Sequence, residues 1–226
     1  MTNKSLIKSF YDNGNPEKAV QMAAYIKNNF PFLGIPKPER SLLQKEFIKA
    51  ARKEKSIDWD FVFMLWDLPE REFQYLAVDY LAALKKSLHK NDIDKLESLL
   101  IKKSWWDSVD IMAESLVGSL CLLNPGLINS HVLKWNKNKN IWLVRTSILF
   151  QLKYKKDTDT QILTAVITTN SNTNEFFINK AIGWALREYS KTNQEWVKDF
   201  IDNHSLNKLS VREASKYLYD KKLDQL

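Results

Sequence analysis

Five short segments of this chain repeat one pattern at nearly constant spacing. They occupy residues 72–78, 108–113, 143–148, 178–183 and 211–216. Each carries a polar residue at its third position, set among apolar residues at helical spacing. Those third residues, Gln74, Asp110, Arg145, Lys180 and Glu213, follow one another at 36, 35, 35 and 33 residues. A period near 35 has room for two helices and their turns, which marks an all-α solenoid whose helix pairs stack on their neighbours. The partner helices are expected over 59–68, 93–102, 127–135, 160–168 and 194–201. The polar stretches 137–140, 155–157 and 168–174 read as loops between helices.

Composition agrees with a helical array. Only 5 Gly and 6 Pro in 226 residues disfavour a turn-rich β fold and leave no glycine loop for phosphates. A hydrophobic share of 44% supplies a core, and one domain spanning 1–226 is expected. Cys121 is the single cysteine. It cannot form an internal disulfide and reads as a buried thiol in a reducing compartment. The N-terminus lacks the apolar stretch of a signal peptide, and no run is long enough to span a bilayer. A soluble, cytoplasmic protein without membrane contact is expected. The formal charge of +7, from 34 Lys and Arg against 27 Asp and Glu, favours a polyanionic partner. Eight tryptophans hint at stacking surfaces, although most tryptophans in globular proteins are core.

The segment 103–110, Lys-Ser-Trp-Trp-Asp-Ser-Val-Asp, is the densest in chemistry. Its pattern predicts a helix start with Ser104 as the cap and Asp107 as the return half of a capping box. Trp106 and Asp110 then lie one turn apart on one face. Val109, Met112, Ala113, Leu116 and Leu120 form the apolar stripe beside them. An aromatic plate and a carboxylate at the edge of a core suit a cationic or sugar-like reaction centre. A similar grouping follows two repeats later, where Lys180, Trp184 and Arg187 share a helix face and Phe176 lies one turn before Lys180. Arg145 sits between the two groupings, after Trp142. The histidines, His89, His131 and His204, are far apart and have no ligand-spaced partners, so neither a metal nor a cofactor site is indicated. No nucleophile elbow, Walker loop or dinucleotide fingerprint is present.

With these residues in view, the chain resembles the DNA alkylation repair family of HEAT-like-repeat DNA glycosylases, the AlkD type. The likeness is carried by segments 30–40, 104–110, 142–145 and 176–187 and covers essentially the whole chain. The resemblance implies an α-solenoid with double-stranded DNA in a concave, basic groove. It also implies hydrolysis of the N-glycosidic bond of N3- or N7-alkylated purines, which carry a positive charge and leave readily. On this likeness Asp110 is the catalytic carboxylate, Trp106 and Trp184 are aromatic walls, and Arg145 is a phosphate contact. Lys180, Arg187, Tyr25 and Lys37 are expected as further DNA contacts. With no lysine or amino-terminal nucleophile evident, a monofunctional hydrolase is expected. Two alternatives stand beside it: a non-catalytic HEAT-like DNA-binding module, and a peptide-binding scaffold with the tryptophans as grips.

Overall fold

A computed structural model describes residues 2–218, and these are helical throughout their regular structure. The helix pairs recur at the expected period, so the chain is all-α and of the solenoid class. The described residues divide into two compact units, 2–88 and 89–218.

The first unit holds α1 (Asn3–Asp12), α2 (Pro16–Tyr25), α3 (Lys37–Glu54), α4 (Trp59–Asp67) and α5 (Arg71–Ala83). Local chemistry sets the helix starts. Thr2 and Ser5 form a capping box on α1, Asn15 accepts from Lys18 N–H ahead of Pro16, and Asp58 accepts from Phe61 N–H. Leu6, Phe10, Ile26, Phe61, Leu65, Trp66, Phe73 and Leu76 are buried together in this unit's core. The proline-rich loop between α2 and α3 is fixed by a buried carboxylate. Glu72 accepts from the N–H groups of Leu33, Gly34 and Ile35 at 3.0, 2.9 and 3.0 Å. Gly34 has φ +87°, and a Cβ there would collide with the Asn15 carbonyl. The Gln74 amide donates to the carbonyls of Leu65, Trp66 and Leu68, closing the end of α4.

The second unit begins with α6 (Ile93–Ile101) and α7 (Trp106–Ile111). The latter runs straight into a π-helical segment, Met112–Val117, and then α8 (Gly118–Leu123). A second π-helical segment, Ile128–Val132, leads into α9 (Leu133–Trp135). Then follow α10 (Ile141–Leu149), α11 (Thr160–Thr168), α12 (Phe176–Ser190), α13 (Gln194–Asn203) and α14 (Lys208–Ala214). Side-chain caps open the later helices: Asn140, Asp159, Glu175, Asn193 and Asn207 each accept a first-turn N–H. The apolar faces of α10, α11, α12 and α13 meet in one core that includes Val144, Ile148, Leu163, Val166, Ile178, Ile182, Leu186, Val197 and Phe200.

The partner helices fall where the 35-residue pattern predicts them. Helix α11 matches the expected range, and α4, α6 and α13 end within two residues of it. The repeat is also written in contacts between equivalent residues of successive helix pairs. The Gln44 amide donates to Asp79 at 35 residues' separation, Asn170 to the Asn136 carbonyl at 34, and Tyr154 OH to the Gly118 carbonyl at 36.

Candidate active site

Helix α7 is preceded by Trp105 at the cap position, whose backbone is extended at φ −158° and ψ 159°. Its carbonyl accepts from Val109 N–H at 3.0 Å and Ser108 N–H at 3.3 Å. The expected capping box is not formed. The Ser104 hydroxyl turns back and donates to the Leu100 carbonyl, closing α6 instead of opening α7. Asp107 accepts from the adjacent Ser108 N–H at 2.9 Å. The physical reason is the register: α7 starts one residue later than a Ser104 cap requires, so the Ser104 side chain serves the preceding helix's orphan carbonyls. The apolar stripe is as expected, with Val109, Met112, Ala113, Leu116 and Leu120 all buried.

Beyond Ile111 the helix widens. Gly118 N–H donates to the Ala113 carbonyl, five residues back. Such π segments cost hydrogen-bond geometry and recur at functional sites. A Cβ on Gly118 would strike the Phe150 carbonyl at the end of α10, so the glycine permits close approach there.

Asp110 lies in the last turn of α7 and is buried. Both its oxygens are gripped by Arg145 of α10. Arg145 Nε donates to Oδ1 at 2.6 Å and Nη2 to Oδ2 at 2.8 Å. Arg145 Nη1 donates to the Phe177 carbonyl at the start of α12. One guanidinium thus ties three successive second helices of the repeat. Burial pushes the Asp110 carboxyl above its ordinary range. The hydrogen bonds and charge of Arg145 act against that, and Asp107 adds to it. Glu114, one turn beyond Asp110, is also raised by burial, and Lys153 at 3.5 Å opposes the shift.

The tryptophans divide. Trp105 packs against Trp142 and Phe177, with ring centroids 5.4 and 5.1 Å away, and those two rings lie 5.0 Å apart. The three rings come from at or near the starts of α7, α10 and α12 and form one aromatic wedge. Trp106 is the first residue of α7 and is half-buried. Trp184 is half-buried on α12, packed at the margin of the core.

Lys180 and Arg187 share the face of α12 that carries Trp184, and both reach Glu213 of α14. Lys180 Nζ lies 3.0 Å from Glu213 Oε1, and Arg187 Nη1 lies 2.9 Å from Oε2. Lys216, which no motif of the sequence marks, joins them at 2.7 Å from Oε2. Hydrogen bonds from Lys216 and Lys180 hold the Glu213 carboxyl down to about 2, against the opposing effect of burial. The signal in the sequence is the three-residue spacing of Glu213 and Lys216, a helical ion-pair spacing. The remaining two expected contacts belong to the first unit. Tyr25 ends α2 and is exposed. Lys37 opens α3 and lines a groove of about 300 Å³ with Ser41, Gln44, Arg52 and Asp79.

Cys121 is buried, and desolvation pushes its thiol up to about 12, so it is inert packing. His131 Nε2 lies 3.1 Å from Asp94, and its Nδ1 lies 2.8 Å from the Ser130 hydroxyl. Among the described residues no group of three His, Cys, Asp or Glu side chains could hold a metal ion. Among them, too, no helix is long and apolar enough to cross a membrane.

Comparison with known proteins gives a concordant result. A family model described as DNA alkylation repair enzyme matches residues 6–218. A solved structure from Enterococcus faecalis, titled a predicted DNA alkylation repair enzyme, is 34% identical with a TM-score of 0.84. That match covers 92% of this chain and 97% of the other. A solved protein from Streptococcus mutans shares the fold at 18% identity, with a TM-score of 0.57 over 79% of this chain and 97% of its own. No curated protein matches.

Proposed function

The chain belongs to the DNA alkylation repair enzyme family, and on that premise we propose that it is a monofunctional DNA glycosylase releasing N3- and N7-alkylated purines from duplex DNA. The observation that carries this is the buried Asp110 carboxylate, locked on both oxygens by Arg145 at the end of the helix that Trp106 opens.

An N3- or N7-alkylated purine is cationic and leaves neutral when its bond to C1′ breaks. The sugar becomes oxocarbenium-like. The protein must then supply negative charge near C1′ and a placed water. A carboxylate fixed in a water-poor site meets both needs, and its hydrogen bonds to Arg145 preorganise it before the reaction. The faces of Trp106 and Trp184 offer negative quadrupoles to a cationic sugar or base.

Arg145 spends three of its five N–H groups on Asp110 and Phe177. The other two are not used by these bonds, and in this proposal a DNA phosphate reaches them at the small part of the side chain, 6%, that is exposed. A phosphate contact and a carboxylate clamp are therefore compatible roles for one guanidinium. Lys180, Arg187, Tyr25 and Lys37 extend the backbone contacts in this proposal, and the partner is duplex DNA met by a monomer.

The experiment is base release from methylated duplex DNA, followed as free 7-methylguanine and 3-methyladenine. Release by the full chain and its loss in Asp110→Asn support the assignment. Salt-dependent DNA binding without base release would leave a non-catalytic module, and absence of DNA binding would leave a peptide scaffold.

A further inference from the structure

We infer that Glu213 gathers Lys180, Arg187 and Lys216 into one phosphate clamp, in which Lys216 is a DNA backbone contact and Glu213 a positioning residue. The inference rests on the DNA-binding part of the function proposed above.

Three cations converge on one carboxylate, at 3.0, 2.9 and 2.7 Å. One negative charge against three positive ones leaves two positive charges within the span of a single carboxylate. A 3:1 grouping carries like-charge repulsion among the cations that an added anion relieves. The carboxylate itself is built in, because Glu213 is only 5% exposed. The lysine side chains are not, being 37% exposed at Lys180 and 49% at Lys216. A buried anion thus holds cationic heads whose outer sides face solvent.

The seat is rigid. Ser210 donates to the Asn179 carbonyl at 2.9 Å, pinning α14 to α12. Gly183 allows the close crossing, since a Cβ there would stand 2.5 Å from Glu213 Cβ. With its carboxyl held down to about 2, Glu213 stays ionised and the clamp keeps its geometry at any working pH. A tetrahedral anion with several acceptor oxygens suits two ammonium heads and a guanidinium, and a compact excess of two positive charges suits a phosphodiester. Trp184 lies between Lys180 and Arg187 on the same face of α12, which places this clamp beside an aromatic surface.

The test is the salt dependence of binding to an undamaged random-sequence duplex, measured by fluorescence anisotropy on the full chain. Lys216→Gln should weaken binding and lower the slope of log affinity against log salt by about one. Lys216→Arg should restore the slope. Lys198→Gln, at an exposed position on α13, should leave it unchanged. Thermal unfolding of Lys216→Gln should match the parent. An unchanged slope in Lys216→Gln overturns the clamp. So does saturable binding of inorganic phosphate at Lys180 and Lys216, seen by NMR, when the DNA slope stays that of the parent. Methylated-base release by the unmodified chain is measured separately, so loss of the glycosylase assignment and loss of the clamp are distinguishable results.

Discussion

Arg145 grips both carboxylate oxygens of Asp110, at 2.6 and 2.8 Å, across 35 residues of sequence. Both side chains are almost fully buried. Removing one charge of such a pair leaves the other uncompensated, at a cost of up to about 3–5 kcal/mol. Asp110→Asn should therefore lose stability as well as activity. Base release should fall by about a hundredfold to a thousandfold, the scale for a single preorganised electrostatic group. DNA affinity should not fall, because the substitution removes a negative charge that repels the phosphates. Single-turnover excision well below the variant's unfolding temperature separates the two losses. Normal excision by folded Asp110→Asn would remove Asp110 from the chemistry.

The same pair sets a pH dependence. Asp110 must be ionised to face a developing cation, and burial raises its carboxyl above the ordinary 3.8. Excision should fall on the acid side with an apparent pKa above that value. Arg145 favours the ionised form by hydrogen bonds and charge. In Arg145→Ala that support is gone, so the acid limb should move to higher pH. A limb that stays in place or moves down in the variant contradicts the assignment of the limb to Asp110. DNA binding should weaken in parallel, with a salt slope lower by about one.

Much of this architecture is legible in the sequence, and the reasons are physical. The 35-residue period survives because each second helix must bury the same apolar face on its neighbour. The row Asp110, Arg145, Lys180 and Glu213 marks that face's edge. What the row does not reveal is its pairing. The charges read as one open surface, whereas they pair in twos, Asp110 with Arg145 and Lys180 with Glu213. One-dimensional spacing gives position along the array but not whether neighbours meet. Ser104 looks like a cap from composition alone, and only the real start of α7 shows that its hydroxyl serves α6. The π segment after Asp110 leaves the apolar stripe intact, so periodicity does not expose it. Glu72 is invisible for a different reason. A carboxylate among helical residues reads as solvated, and its three backbone partners lie 37 to 39 residues away.

Glu72 is fully buried, and its carboxylate satisfies three backbone donors of the loop that leads to Lys37. In Glu72→Ala those donors lose their acceptor in a site without room to recruit water freely. Each buried unsatisfied donor costs about 1–3 kcal/mol, so a loss of about 3 kcal/mol or more is expected. Hydrogen exchange should show the amides of Leu33, Gly34 and Ile35 losing protection before the rest of the unit. Protection equal to the parent's would show that other acceptors replace the carboxylate. Glu72→Gln should fall between the two, because one amide oxygen cannot serve both sides of the loop.

Gly183→Ala tests how tightly α12 and α14 are matched. An added Cβ would stand 2.5 Å from Glu213 Cβ, 2.9 Å from the Ser210 carbonyl oxygen and 3.2 Å from Ser210 Cα. Two opposing effects compete. Alanine improves helix propensity over glycine by about 1 kcal/mol. Overpacking costs about 1–3 kcal/mol, and here the obstructing atoms are the Ser210 backbone and a Cβ fixed to the backbone, none of which can swing aside. The clash should win, lowering stability and pushing α14 outward. Glu213 would then draw away from Lys180 and Arg187 while keeping Lys216 three residues on, so its carboxyl should rise only part of the way from about 2 toward the ordinary 4.5. Gly126→Ala is the control, since nothing lies within 4 Å of its added Cβ. Chemical denaturation and a carboxyl NMR titration report the two effects independently. A stable Gly183→Ala protein with Glu213 still titrating near 2 would mean that the helices separate without disturbing the charge cluster.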